Sequence, residues 1–303
     1  MSTRRVSYVF VCAVALLACS THAYAAPIQY FASFGGNSQS IGTYPVVPGA
    51  WGTQFATTAS AAHGLTVAGD NLYWLEGNNI YVQGINGGSK TPFQSFGIAP
   101  LDLTVDVTNG IYHSSFGGNS DSIGQYPLAP DVWGVQFATG NDPHGLSLSG
   151  NTLYWLEGNN VWMQDIGSTS KSLLQNFGIA PIDLAVDEAG GFYYASFGGS
   201  SDSIGKYPLV PGAWGTQFAT GNSPHALNIV DGKLYWLEDT IVWMANLDGT
   251  NKESLQTFGI SPVDLAFYSL PVVDPPVPEP ASIALLGLGV AALGWKRRQT
   301  RTR

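Results

Sequence analysis

Six tyrosines, Tyr30, Tyr73, Tyr112, Tyr154, Tyr193 and Tyr235, follow one another at steps of 43, 39, 42, 39 and 42 residues. A step that regular means a chain assembled from one small unit, copied and stacked, because such a unit cannot bury its apolar face alone. Three longer copies lie behind it. Ser33-Phe34-Gly35-Gly36 returns as Ser115-Phe116-Gly117-Gly118 and Ser196-Phe197-Gly198-Gly199, and Tyr73-Trp74-Leu75-Glu76 returns at Tyr154 and Tyr235, 81 residues apart. The block Phe-Gly-Ile-(Ala/Ser)-Pro begins at Phe96, Phe177 and Phe258. Between copies one residue is gained or lost, within 57–62.

Each copy divides into two alignable halves. Gly232-Lys233-Leu234-Tyr235-Trp236 matches Gly190-Gly191-Phe192-Tyr193-Tyr194, and Leu255-Gln256-Thr257-Phe258-Gly259 matches Gly215-Thr216-Gln217-Phe218-Ala219. Every half holds four short apolar or aromatic runs bounded by Gly, Asn, Asp and Pro, which read as strands and tight turns. No sustained 3.6-residue apolar period interrupts them. About forty residues in four strands is the size of one β-propeller blade. The fold predicted is therefore all-β: a six-bladed β-propeller over residues 26–270, made of three 81-residue double-blade repeats.

The phase of the strands predicts how the ring closes. Ile28-Gln29-Tyr30-Phe31-Ala32 matches the second strand of later blades, and a spare first strand, Val263-Asp264-Leu265-Ala266-Phe267, is left at the other end. Pairing the two would cover edges that otherwise template aggregation. The second half-blades resemble the YWTD-type propeller repeat and, more loosely, the NHL repeat. The likeness is carried by Leu234-Tyr235-Trp236-Leu237-Glu238, Trp243–Thr250 and Pro262–Phe267. Leu-Glu stands where that motif has Thr-Asp, so the resemblance implies six blades and no particular ligand.

Both ends of the chain read as targeting segments. Arg4 and Arg5 precede an apolar run from Val6 to Ala18 and the small-residue triplet Ala23-Tyr24-Ala25, a signal peptide over residues 1–25. Leu16-Leu17-Ala18-Cys19 offers an alternative cut, with Cys19 lipidated. Cleavage after Ala25 would remove Cys12 and Cys19, the only cysteines, and with them any disulfide or thiolate metal site. At the other end a Pro-rich linker, 271–277, leads to Pro278-Glu279-Pro280, an apolar span from Ala281 to Trp295, and a basic stop cluster of Lys296, Arg297 and Arg298 followed by Arg301 and Arg303. Residues 278–303 resemble the PEP-CTERM sorting signal of exported Gram-negative proteins. The resemblance implies an exosortase-type processing enzyme as partner, an inner-membrane intermediate, and delivery to the cell surface or outside the cell. The span is short against the ~20 residues that cross a bilayer comfortably, and the basic cluster would stay on the cytoplasmic side. An unprocessed tail anchor is the plainer alternative.

Seven of the twelve Lys and Arg residues sit in those two ends, while only Glu279 of the 21 acidic residues does. The body between them is thus near −15, which excludes nucleic acid as a partner, since that needs basic footprints. The body is expected to be monomeric.

His63, His144 and His225 occupy one equivalent place, and Asp102, Asp183 and Asp264 a neighbouring place in alternate blades. Together they could ring a central channel, and three imidazoles are a conceivable metal set. However, His144 follows Pro143 directly, whereas Asp183 is the second residue after Pro181. Adjacent strand residues face opposite ways, so the expectation is that both sets cap turns. No cofactor or metal is expected. Trp74, Trp155 and Trp236, with Trp51, Trp133 and Trp214, could stack on sugars, but their recurrence points to filling between blades. Glu76, Glu157 and Glu238 come in three equal copies, whereas an acid–base pair needs unequal surroundings. The Asn246-Leu247-Asp248-Gly249 fragment lacks the other ligands of a calcium loop and reads as a turn. With no Gly-x-Ser-x-Gly elbow and no unique His-Asp-Ser set, the chain reads as a non-catalytic binder of exopolysaccharide or surface proteins. The alternative is a propeller enzyme acting on a lactone or polysaccharide.

Overall fold

The structure is a computed structural model and describes residues 28–32, 38–115, 120–196 and 202–268. The signal peptide, the linker, the sorting segment with its apolar span, and all of the Ser-Phe-Gly-Gly blocks except Ser115 and Ser196 lie outside the described residues. The described residues form twenty-four strands and no helix. None of their elements is a helix long and apolar enough to cross a membrane.

Strands β1 (Ile28–Ala32), β2 (Ser40–Pro45) and β3 (Thr53–Thr57) open the first blade. The second holds β4 (Ala62–Ala68), β5 (Asn71–Glu76), β6 (Asn79–Gly84) and β7 (Thr91–Ser95), and the third β8 (Leu103–Asp106), β9 (Gly110–Ser114), β10 (Ser122–Tyr126) and β11 (Val135–Thr139). The fourth holds β12 (His144–Ser149), β13 (Thr152–Glu157), β14 (Asn160–Asp165) and β15 (Ser172–Asn176). The fifth holds β16 (Leu184–Asp187), β17 (Gly191–Ala195), β18 (Ser203–Tyr207) and β19 (Thr216–Thr220). The sixth holds β20 (His225–Val230), β21 (Lys233–Glu238), β22 (Ile241–Asn246) and β23 (Glu253–Thr257). The last strand, β24 (Leu265–Tyr268), returns to the first blade and completes its sheet in the order β24-β1-β2-β3. Its register, Ile28↔Tyr268 through Phe31↔Leu265, is the closure expected from the strand phase.

All six sheets are four-stranded antiparallel meanders. An even number of alternating strands ends each blade on the side where it began, so every inner strand starts on one face of the ring and finishes on the other. We call these the entry face and the exit face. The connections between third and fourth strands all emerge on the exit face, together with the short turns between first and second strands.

The Tyr-Trp dipeptide follows from this packing. Neighbouring strand residues point to opposite sides, so Trp74 joins the cluster between blades one and two, with Tyr30, Ile41 and Leu72, while Tyr73 joins the cluster between blades two and three, with Phe93, Leu103 and Ile111. One apolar cluster fills each of the six junctions. Trp74, Trp155 and Trp236 have no exposed surface.

Candidate functional site

The inner strands enclose a central channel of about 360 Å³ whose wall includes Asp102, Asp183 and Asp264. Each carboxylate is held by two backbone amides. Oδ1 accepts from the next residue, Leu103, Leu184 or Leu265, at 2.7–2.8 Å. Oδ2 accepts from Leu146, Leu227 or Leu65 of the following blade at 2.6, 2.6 and 2.7 Å. The second bond exists because β4, β12 and β20 carry a bulge just after their histidine. The bulge residue has a left-handed backbone, with φ +56° at Gly64, +57° at Gly145 and +52° at Ala226. Glycine suits that conformation, and it turns the following N–H outward to the neighbouring blade. The aspartates are therefore stitches between blades one and two, three and four, and five and six.

Burial works against these carboxylates losing their protons. It raises Asp102 against the pull of the Leu146 and Leu103 amides and of the His144 and His63 charges. Burial, aided by Asp102, raises Asp183 to about 6. Burial also raises Asp264 to about 8, against the Leu65 amide and with help from Asp102 and Asp183. Repulsion couples the three carboxylates, each charge opposing the next.

The histidines do not line the channel. Nδ1 of His63, His144 and His225 faces the carbonyl two residues earlier, that of Ala61, Asp142 or Ser223, at 3.5, 2.9 and 3.0 Å. Nε2 of His63 also meets the Pro100 carbonyl at 3.2 Å. They cap turns on the entry face, and the aspartates cap strand starts. The ring thus brings the three aspartates together on the channel wall and leaves the histidines outside that wall, near enough for their charges to act on Asp102 and Asp183. Among the described residues no group of His, Cys, Asp or Glu is placed to hold a metal ion.

Glu76, Glu157 and Glu238 lie in the walls between blades. The indole N–H of Trp74, Trp155 or Trp236 donates to them at 2.6–2.7 Å. Lys90, Lys171 or Lys252 reaches the same carboxylate at 2.8, 2.7 and 3.2 Å, its ammonium also lying over the ring of Tyr81, Trp162 or Trp243. A buried carboxylate with both a donor and a cation is a satisfied structural pair.

The two tryptophan sets, read together as filling, part company here. Trp51, Trp133 and Trp214 are 94%, 84% and 92% exposed. They stand on the third-to-fourth-strand loops of blades one, three and five, on the exit face. Each loop is built alike. A Cβ on the glycine after the tryptophan, Gly52, Gly134 or Gly215, would stand 2.1–2.5 Å from the ring of Tyr44, Tyr126 or Tyr207, so the ring lies flat on that backbone. The amides of Gly49, Asp131 and Gly212 bind the carbonyls of Leu255, Phe93 and Leu174 in the preceding blade at 3.1–3.3 Å. That following glycine is the local sign, present in the sequence, that sets these tryptophans apart. A buried position departs from the three-fold pattern: His113 stands where the other copies have Phe31 and Tyr194. It is fully buried beside Phe96 and Tyr126, and burial lowers it to about 4. It is a neutral core residue.

Comparison with known proteins adds two facts. Residues 276–298 match the PEP-CTERM protein-sorting motif. That motif implies export, membrane anchoring at the C-terminus and processing by an exosortase. No curated protein matches the chain. Among solved structures the chain is similar to one described as the crystal structure of a nidogen/laminin complex. The TM-score is 0.66 at 15% identity, covering 80% of this chain and 98% of that one, a likeness of fold that agrees with the YWTD-type reading of the repeats.

Proposed function

We propose that this chain is a non-catalytic binding or structural protein of the cell surface or extracellular matrix, holding exopolysaccharide or protein there. The observation that carries the proposal is three-fold equivalence. Each candidate group of the channel and the blade walls occurs three times with the same partners, as in the Asp–Leu stitches at 2.6–2.7 Å. A catalytic site separates its acid from its base by unequal surroundings, and the one buried histidine without counterparts, His113, lies away from the channel among aromatic rings.

The test is retention. Tagged full-length protein expressed in its host is washed from the extracellular polymer, and the bound fraction is measured. His63→Ala, His144→Ala and His225→Ala are expected to cause similar, partial losses. If one of the three alone abolished a measurable turnover of a lactone or polysaccharide, the protein would be an enzyme and this reading would be wrong.

A further inference from the structure

We infer that the exit face is a lipid-docking face, on which Trp51, Trp133 and Trp214 seat the propeller against the bilayer that holds its C-terminal segment. Four observations lead there. Nine of the twelve exposed large hydrophobic side chains among the described residues belong to this face, Val47 and Val210 beside the tryptophans included. The ring also leaves both its chain ends on this face, because Ile28 pairs with Tyr268 at the outer end of β1 and β24. Twelve residues then separate Tyr268 from the apolar run at Ala281, a reach of about 47 Å at most.

The loops themselves distinguish a bilayer from a sugar polymer. Residues 45–52 and 208–215 contain no charged, hydroxyl or amide side chain, and 127–134 contain only Asp131. A polysaccharide's many hydroxyls would find only Asp131 and the indole N–H groups as side-chain partners there. An indole finds its preferred place at the headgroup level, ring in the apolar layer and N–H toward water. Nor is the attraction electrostatic. Lys90, Lys171 and Lys252 are ion-paired, Lys206 donates to the Leu247 carbonyl, and Lys233 lies against the Met244 sulfur. The face therefore needs no anionic lipid.

Three isolated indoles bind a bilayer weakly. While the chain is tethered, however, their effective concentration at the surface is high, and it falls once the tether is cut. Docking of this kind holds the body during processing and lets it go afterwards.

The experiment uses the full chain in a Trp295→Phe background, reconstituted in phosphatidylethanolamine–phosphatidylcholine vesicles, with lipids brominated near the top of the acyl chain as quenchers. The expected result is strong quenching that survives high salt and disappears in the W51F/W133F/W214F triple variant, whose melting temperature stays that of the parent. Quenching that is absent, or unchanged in the triple variant, overturns the inference. So does a neutral glucan that shields these tryptophans from iodide when brominated lipid does not quench them. Quenching that appears only when phosphatidylglycerol is added to the vesicles and is lost in high salt overturns it as well.

Discussion

Two sets of tryptophans in this chain share a three-fold recurrence and differ in everything else. Trp74, Trp155 and Trp236 are wholly buried on second strands, each donating to a glutamate two residues on, with a lysine over Trp155 and over Trp236. Trp51, Trp133 and Trp214 stand almost entirely in solvent on loops whose own backbone is held by a tyrosine ring. A period shows that a residue belongs to the unit. It does not show on which side of the unit the residue works; that is decided by the neighbours within two positions.

The largest expected effect probes the contrast directly. Trp155→Ala should destabilise the propeller by about 3–5 kcal/mol in chemical denaturation, through a cavity at a blade junction. Trp133→Ala should stay within about 0.5 kcal/mol. Comparable losses from both would mean that the exposed set also bears on the fold. Next comes Glu157→Gln, expected to cost about 1–3 kcal/mol because Lys171 loses its partner in a low-dielectric wall. The same substitution at the exposed Glu188 should leave the midpoint unchanged.

The channel wall gives a subtler signature. Asp183 and Asp264 hold protons more tightly in the folded chain than in the unfolded one. Their favourable contribution is therefore complete below about pH 4, where both states are protonated, and is lost as the pH climbs through about 6 and about 8. The melting temperature should fall across that window. In Asp264→Asn the upper part of the fall should flatten, and an undiminished slope would show that other groups set it. The smallest effect concerns Ala226, which holds φ +52° where the other copies have Gly64 and Gly145. Ala226→Gly should stabilise by a few tenths to about 1 kcal/mol, the left-handed strain outweighing the gain in unfolded-chain freedom.

Much of the architecture was legible because tyrosine positions, strand phase and the spare last strand all describe one ring. The aspartate and histidine sets were harder. Counted from their prolines they are offset by one, which suggests two different strand starts. In the structure the prolines themselves align, so Gly145 occupies the aspartate's place and His144 that of Ile182, which is itself 45% exposed. What the spacing could not reveal was the bulge, and with it the amide that gives each aspartate its partner in the next blade. Recurrence alone does not separate the exposed tryptophans from the buried ones; the glycine that follows Trp51, Trp133 and Trp214 does.

The pairing of β1 with β24 has a mechanical side. Because Ile28 lies opposite Tyr268, the two ends of the ring leave the pair at the same edge. Tension between the ends would peel this pair apart one hydrogen bond at a time, the geometry of a zipper, where strands leaving at opposite edges would share the load in shear. A propeller closed in this way yields to a pull on its termini at low force. Loaded through its loops instead, it would spread the same pull over several blades.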